Sequence, residues 1–179
     1  SAASDVYKRQ TLYYMKENIV LGLDPGTKIT GYAVVQKDAS HLTLLDHGAI
    51  LIPTKLSLPD KYYLLFHNIE LLLQQYNPGA VAIEGQFVNL NVQAALKIAM
   101  AKASALVACG KLKISVAEYS PSAIKLAVTG SGKSSKSQVG WMVKALLQCD
   151  IASSTYDVTD AIAIAICHLQ RSQKVESLC

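Results

Sequence analysis

Two short apolar segments, each ending in an acidic residue, constrain the fold of this chain more than any other feature. Residues 19–24, IVLGLD, end at Asp24, and the segment GAVAIEG carries Glu84 directly before a glycine. Apolar runs of this length between turn residues predict buried strands, and apolar residues at helical spacing lie between them, from Leu58 to Gln75. A strand, a helix and a second strand form a parallel crossover, so both strands are expected side by side with their carboxyl ends together.

The remaining segments complete an α/β pattern. TGYAVVQ and LTLLDHGAIL, joined by turn-like KDAS, predict two strands that form an antiparallel meander with the first. An alanine-rich helix is predicted next, from about Asn91 to Cys109, and Gly110 can end it. It is followed by the strand KISVAEYS and by a helix that begins at Ser120 and Pro121. SKSQVGWMVKALLQ and YDVTDAIAIAICHLQ each carry a helical apolar stripe. The expected fold class is α/β with a mixed sheet.

Length and composition narrow the class of protein further. A length of 179 residues suits one domain. A content of 51% hydrophobic and 17% charged residues excludes a disordered chain. No apolar run reaches the ~18 residues that a membrane span needs. No C-x-x-C pair occurs among the four cysteines, so we predict no zinc site or disulfide framework and a cytoplasmic location. Met15 directly precedes the first strand, so residues 1–14 are expected to be an appended or mis-called leader before a single domain over residues 15–179.

Four acids are candidates for a site at the edge of the sheet. Asp24 and Glu84 end their strands where open α/β sheets place ligands, and Asp157 and Asp160 can project from one face of a helix start. Carboxylates brought together repel each other unless a cation is present, and oxygen ligands suit magnesium or manganese. Each acid also has a structural explanation, in the Asp-Pro-Gly turn, at the helix N-terminus or at an exposed strand end.

Positive charge is concentrated in the second half of the chain. Between Lys97 and Lys144 there are eight lysines and one acid, Glu118, whereas the whole chain has a net charge of only +4. The remainder is therefore acidic. A basic segment of this kind is consistent with a surface that faces a polyanion, and equally with a solvated helix face.

The string GSGKS, residues 130–134, resembles the end of an ATP-binding phosphate loop. Such a loop requires a glycine five positions before Gly132, where this chain has Ala127. The preceding SPSAIKLAV also begins like a helix, whereas a phosphate loop follows a strand. The string therefore does not predict a nucleotide hydrolase.

Four separated blocks resemble the RuvC family of Holliday-junction resolvases: LGLDPGTKITGYAVV, VAIEGQFVNLNVQAALKIAMAKASALVA, KSSKSQVGWMVKALL and DVTDAIAIAICH. The resemblance runs from about Ile19 to His168 in the family's order and spacing. It implies a ribonuclease-H-like fold, a five-stranded mixed sheet flanked by helices, and a homodimer. It also implies magnesium-dependent, paired nicking of a four-way DNA junction in recombination and repair, with a branch-migration complex of RuvA and RuvB as partner.

The resemblance assigns roles to individual residues. Asp24, Glu84, Asp157 and Asp160 match the family's catalytic acids, which implies two magnesium ions, with manganese as a substitute, and 5′-phosphate and 3′-hydroxyl products. Some members have histidine at the position of Asp157. The other matches are implied DNA contacts: Phe87 to unpaired bases, and Lys125 and Lys136 to the backbone, with Lys136 in the loop before a helix that begins near Ser137. The family's dimer interface uses the alanine-rich helix.

Three other functions are compatible with parts of the pattern. A ribonuclease-H-like nuclease that processes structured RNA shares an Asp-x-Gly turn on its first strand. A sugar-kinase or actin-like ATPase also has an acid and a glycine turn there, but such proteins have a duplicated domain and are far longer. A non-catalytic junction-binding protein would have no need of all four acids.

Overall fold

The computed structural model describes residues 18–39, 41–85, 92–148 and 155–176, the last four of these by their backbone alone. The predicted leader, residues 1–14, lies outside the described residues. Five strands form one sheet: β1 (Ile19–Asp24), β2 (Ile29–Asp38), β3 (His41–Leu51), β4 (Ala80–Glu84) and β5 (Ser115–Tyr119). Their order is β3-β2-β1-β4-β5, with β1, β2 and β3 antiparallel and β1, β4 and β5 parallel. The predicted five-stranded mixed sheet is confirmed.

Five helices flank the sheet in the described part of the chain: α1 (Leu58–Tyr76), α2 (Val92–Leu112), α3 (Pro121–Thr129), α4 (Lys136–Leu147) and α5 (Tyr156–Glu176). Serine side chains cap three of them. Ser57 accepts a hydrogen bond from the Asp60 amide and Ser120 accepts one from the Ala123 amide, while Ser135 and Gln138 form a reciprocal capping box. These bonds satisfy amides that would otherwise lack a partner at the helix starts.

The predicted start of a helix near Ser137 is confirmed to within one residue, because α4 begins at Lys136 with Ser135 as its N-cap. Lys136 therefore lies in the first turn, and its predicted place in the preceding loop was wrong. The predicted end of the alanine-rich helix at Gly110 was also wrong. Helix α2 continues through Gly110 to Leu112 and stops before Lys113, whose φ is 56°. Glycine inside a helix costs ~1 kcal/mol, and the packing of Cys109 and Leu112 in the core offsets that cost.

The sheet is covered on both faces, as its apolar strands predict. Helices α1 and α2 pack on one face over Leu21, Leu23 and Ile83, and helices α3, α4 and α5 pack on the other over Val20 and Ala82. The carboxyl ends of β1 and β4 therefore form an edge between two helical layers. Helix α3 ends at Thr129, and Gly130 is its C-cap with φ 78°. Residues 131–135 therefore follow a helix and not the strand that a phosphate loop requires.

Helix α2 is both a core helix and an exposed one. Ala101, Ala105 and Ala108 are buried against the rest of the chain. By length and composition it is also the one helix in the described part of the chain that could cross a membrane, and 28% of its apolar window is buried against the rest of the chain. The sequence predicts no such span, because no apolar run reaches the ~18 residues that a span needs.

Candidate active site

The parallel pairing of β1 and β4 brings two of the four predicted acids to the same edge of the sheet. Leu23 pairs with Ile83, so the next residue on each strand, Asp24 and Glu84, ends its strand at that edge. Side chains alternate along a strand. Because Leu23 packs under α1 and α2, Asp24 points toward the opposite helical layer, which contains α5.

Helix α5 brings the other two acids to the same place, and two strand glycines allow it to approach. A Cβ atom on Gly22 would lie 2.2 Å from the carbonyl oxygen of Ala161, and one on Gly31 would lie 2.1 Å from the carbonyl oxygen of Asp157. Any larger residue would push the helix away from the sheet. With glycine at both positions, the first two turns of α5 place Asp157 and Asp160 beside the end of β1.

These four residues, Asp24, Glu84, Asp157 and Asp160, form what we call the acidic cluster. The pKa of Asp24 is raised from 3.8 to about 7, first by burial and then by the negative charges of Asp160, Glu84 and Asp157 in that order, against a lowering effect of Lys136. Burial and then Asp160 also raise the pKa of Glu84. A carboxyl group with a pKa near 7 indicates a site that favours a bound cation or proton.

Lys136 supplies a positive charge to the cluster. Its Nζ donates a hydrogen bond to Oδ2 of Asp160 at 2.6 Å, and this bond is the main reason that the pKa of Lys136 is raised. The side chain of Lys136 is two-thirds exposed, whereas that of Asp160 is mostly covered. The ammonium is therefore accessible both to the acids and to a ligand that arrives from solvent.

Of the two other predicted DNA contacts, Lys125 and Phe87, the structure describes only Lys125. Lys125 lies on α3 and lowers the pKa of Glu84, as does Lys136, which means that both ammonium groups act on the acidic cluster. Phe87 lies outside the described residues. Its predicted contact with unpaired bases stays a prediction.

The donor set of the cluster fits a hard divalent cation. Four carboxylates from three elements lie near one another, and after burial the charges of the other three raise the pKa of Asp24 despite the nearby Lys136. Oxygen-only donors suit magnesium, which keeps several of its waters and needs few protein ligands. Within the described ranges no three acidic, histidine or cysteine side chains already stand in a metal-binding arrangement. The ion pair between Lys136 and Asp160 engages one of the four carboxylates.

Sequence reasoning did not identify the two glycines that allow α5 to approach the sheet. Gly22 lies inside the apolar run of β1 and Gly31 lies inside β2. Glycine weakens a strand interior, so its presence there signals a close approach by another backbone. That signal was present in the printed sequence, but it does not say which segment approaches.

Comparison with known proteins agrees with this arrangement. The family model described as "Crossover junction endodeoxyribonuclease RuvC" matches residues 20–168. A protein of that name from Protochlamydia amoebophila (strain UWE25) is 43% identical over 152 residues, which are 85% of this chain and 90% of the relative. Another, from Trichlorobacter lovleyi, is 43% identical over 155 residues, 86% of each chain.

Solved structures show the same fold. The structure described as "T. thermophilus RuvC in complex with Holliday junction substrate" superposes with a TM-score of 0.84 and 28% identity, covering 89% of this chain and 97% of that one. The yeast mitochondrial Holliday junction resolvase Ydc2 has a TM-score of 0.67 at 16% identity, which is a likeness of fold alone. The ribonuclease-H-like fold expected from the resemblance is thus confirmed. On its sequence and its structure, this chain belongs to the RuvC family of crossover junction endodeoxyribonucleases.

Proposed function

We propose that this protein is a DNA endonuclease that resolves four-way (Holliday) junctions by paired symmetric nicks, in recombination and repair. The observation that carries the proposal is the meeting of Asp24, Glu84, Asp157 and Asp160 at one sheet edge in a chain of this family. A relative with 28% identity is described as bound to a Holliday junction. Membership of a family of DNA endonucleases argues against the alternative, a nuclease that processes structured RNA.

The acidic cluster would hold two magnesium ions, with manganese as a substitute. Asp24 is the candidate for a ligand shared by both ions, because the other three acids all act on its pKa. When bound, such ions supply an activated water and stabilise the departing 3′ oxygen, which leaves 5′-phosphate and 3′-hydroxyl ends. Glu84 and Asp160 would complete the ligand set, and Asp157 would add a fourth carboxylate from the first turn of α5.

Lys136 and Lys125 would bind backbone phosphates beside the cut. Lys136 reaches Asp160 from the first turn of α4, so the same ammonium can reach a phosphate held over the cluster. Contacts to phosphates position the strand and carry no sequence information. Phe87 would stack on an unpaired base, a role that rests on the family resemblance alone.

Two copies of the chain would act together on the two strands of a junction. Helix α2 supports this proposal, because the face opposite its buried alanines exposes Val92, Leu96 and Val107, each more than half exposed. An apolar face of this kind is more stable when covered by a second copy. A branch-migration complex of RuvA and RuvB as partner, and a cytoplasmic location, remain predictions from the sequence.

A cleavage assay tests the proposed function directly. The protein and its Asp24→Asn variant are incubated with a synthetic four-way DNA junction, the matching linear duplex and a structured RNA, each with magnesium or with EDTA. We expect paired junction nicks that need magnesium, and a variant that binds the junction without cutting it. Equal or faster cleavage of the RNA, or normal nicking by the variant, would contradict the proposal.

A further inference from the structure

An open cavity of about 620 Å³ lies beside the acidic cluster, between α4 and the first turns of α5. Two aromatic residues line it, Trp141 on α4 and Tyr156 at the start of α5, together with Asp157 and Asp160. Its volume lies within the ~300–1,000 Å³ of small-molecule pockets. The cavity is therefore large enough to receive a planar ring system directly next to the proposed catalytic acids.

Both aromatic side chains are unusually open to solvent. Trp141 is 69% exposed and Tyr156 is 71% exposed. Large aromatic groups normally bury most of their area, and leaving one in water forfeits that stabilisation. The backbone under Trp141 is held firmly, because Val139, Val143 and Leu147 on the opposite side of α4 are buried in the core. Trp141 is thus presented to solvent by a packed helix.

The face of α4 that lines the cavity is kept open by a glycine. Ser137, Gly140, Trp141 and Lys144 follow one another at helical spacing and all line the cavity. A Cβ atom on Gly140 would meet only the Cγ2 of Thr159, at 3.7 Å, so longer side chains at this position would extend into the cavity. Glycine costs ~1 kcal/mol in a helix interior, and here it leaves the space between α4 and α5 free.

We propose that Trp141 and Tyr156 form a stacking platform for an unpaired nucleobase of the DNA substrate. The inference rests on the proposed function and adds to it a substrate contact made by neither Phe87 nor the lysines. Bases stack on exposed aromatic rings whatever their sequence, since every base has a π-face. Tyr156 directly precedes Asp157 in the chain, so a base on the platform lies next to the strand that the acids would cut.

The charges around the platform favour a nucleic acid over an apolar peptide as the occupant. Lys136 and Lys144 line the same cavity and offer positive charge to a phosphate backbone. An apolar peptide would have to remove these groups from water, whereas a nucleotide places its ring on the aromatic residues and its phosphate near the lysines. Bases inside a duplex are already stacked on each other, so the platform selects bases that are unpaired.

Trp141 is the only tryptophan in the chain, so its fluorescence reports on the platform alone. The experiment uses the full chain carrying Asp24→Asn, to prevent cutting, and titrates in the four-way junction, a single-stranded oligonucleotide or a linear duplex. We expect the junction and the single strand to quench the fluorescence, and the duplex to leave it unchanged at equal occupancy. Quenching that depends on protein concentration without DNA would indicate contact with a second copy and would overturn the inference.

Substitutions test whether the platform contributes to binding. Trp141→Ala should weaken junction binding about fivefold to 150-fold, the range expected for loss of one base-aromatic contact, whereas Trp141→Phe should retain most of the affinity. Tyr63→Ala is the matched control, because Tyr63 is a similarly exposed aromatic residue on α1, on the other face of the sheet. Melting temperatures check that each variant is folded.

The outcomes separate this inference from the proposed function. If the junction binds and is cut normally, but fluorescence does not change or Trp141→Ala binds as tightly as the parent, the platform is disproved and the nuclease function stands. If the unsubstituted chain neither binds nor cuts the junction, the proposed function fails, and the inference fails with it.

Discussion

The Nζ atom of Lys136 lies 2.6 Å from Oδ2 of Asp160, so a lysine on α4 and an acid on α5 form an ion pair at the edge of the acidic cluster. Asp160 is also the neighbouring charge with the largest effect on the pKa of Asp24. A divalent cation that binds Asp160 must therefore compete with the ammonium. The ammonium of Lys136 can also leave Asp160 and bind a phosphate in its place.

Removal of this ammonium should strengthen metal binding. We expect Lys136→Met to bind magnesium or manganese up to about fivefold more tightly, since a partly exposed ion pair is worth at most ~1 kcal/mol. Calorimetric titration without DNA measures the affinity independently of activity. Unchanged or weaker metal affinity would indicate that Lys136 does not compete for Asp160.

The same substitution should weaken the contact with DNA. The slope of log binding constant against log salt should become shallower by about 0.7 to 0.9, the loss of one phosphate contact, and cutting should decrease more than stability. Lys113→Met serves as the control, because Lys113 is exposed beyond the far end of α2. A slope that is the same in both variants would count against a phosphate contact at Lys136.

Asp24→Asn should stabilise the metal-free protein in a pH-dependent way. Between pH 3.8 and about 7 the folded protein retains a proton on Asp24 that the unfolded chain has lost. The free energy of unfolding therefore falls as pH rises through this interval. Asparagine does not titrate, so the variant does not lose this part of its stability. At pH 8 the variant should be more stable by up to roughly 4 kcal/mol, and at pH 4 by little.

Urea unfolding in EDTA at several pH values measures this difference. Excess magnesium provides the internal control, because an ion that binds only the folded wild-type protein stabilises it relative to the variant. A stability difference that does not change with pH would mean that Asp24 titrates near its ordinary value.

Gly22→Ala should displace α5 and abolish cutting. The new Cβ atom would lie 2.2 Å from the carbonyl oxygen of Ala161, so the helix must move, at a cost of at least ~1–3 kcal/mol. Gly110→Ala is the matched control, since apart from its chain neighbours and its own helix backbone no atom lies within 4 Å of its Cβ position, and it should stabilise α2 by up to ~1 kcal/mol. Thermal unfolding and the junction assay measure both effects. Normal cleavage by Gly22→Ala would show that the position of α5 tolerates the shift.

Leu96→Asp should convert the proposed dimer into monomers. Leu96 is 54% exposed on the apolar face of α2, and a carboxylate there would be costly to bury between two copies. Leu126→Asp, at an equally exposed leucine on α3, should leave the dimer intact. Light scattering after size-exclusion chromatography measures the mass. A monomeric parent chain, or a dimeric Leu96→Asp variant, would exclude this interface.

Much of the fold and of the candidate site follows from local pattern. Asp24 and Glu84 could be predicted to meet because a parallel crossover between two apolar strands has only one favoured arrangement. Asp157 and Asp160 could be assigned to one helix face because three-residue spacing does so in any helix. The helix start at Pro121 follows similarly, because Ser120 and Pro121 stand in adjacent positions.

The sequence by itself determined the strands, the helices and the positions of the acids along them, because these depend on the spacing of residues close together in the chain. Only the tertiary structure decided how far α5 approaches Gly22 and Gly31, that Lys136 pairs with Asp160, and that Trp141 and Tyr156 share one cavity. These relationships join segments separated along the chain. Their distances depend on how whole helices pack on the sheet, which is a sum over many contacts that no local pattern contains.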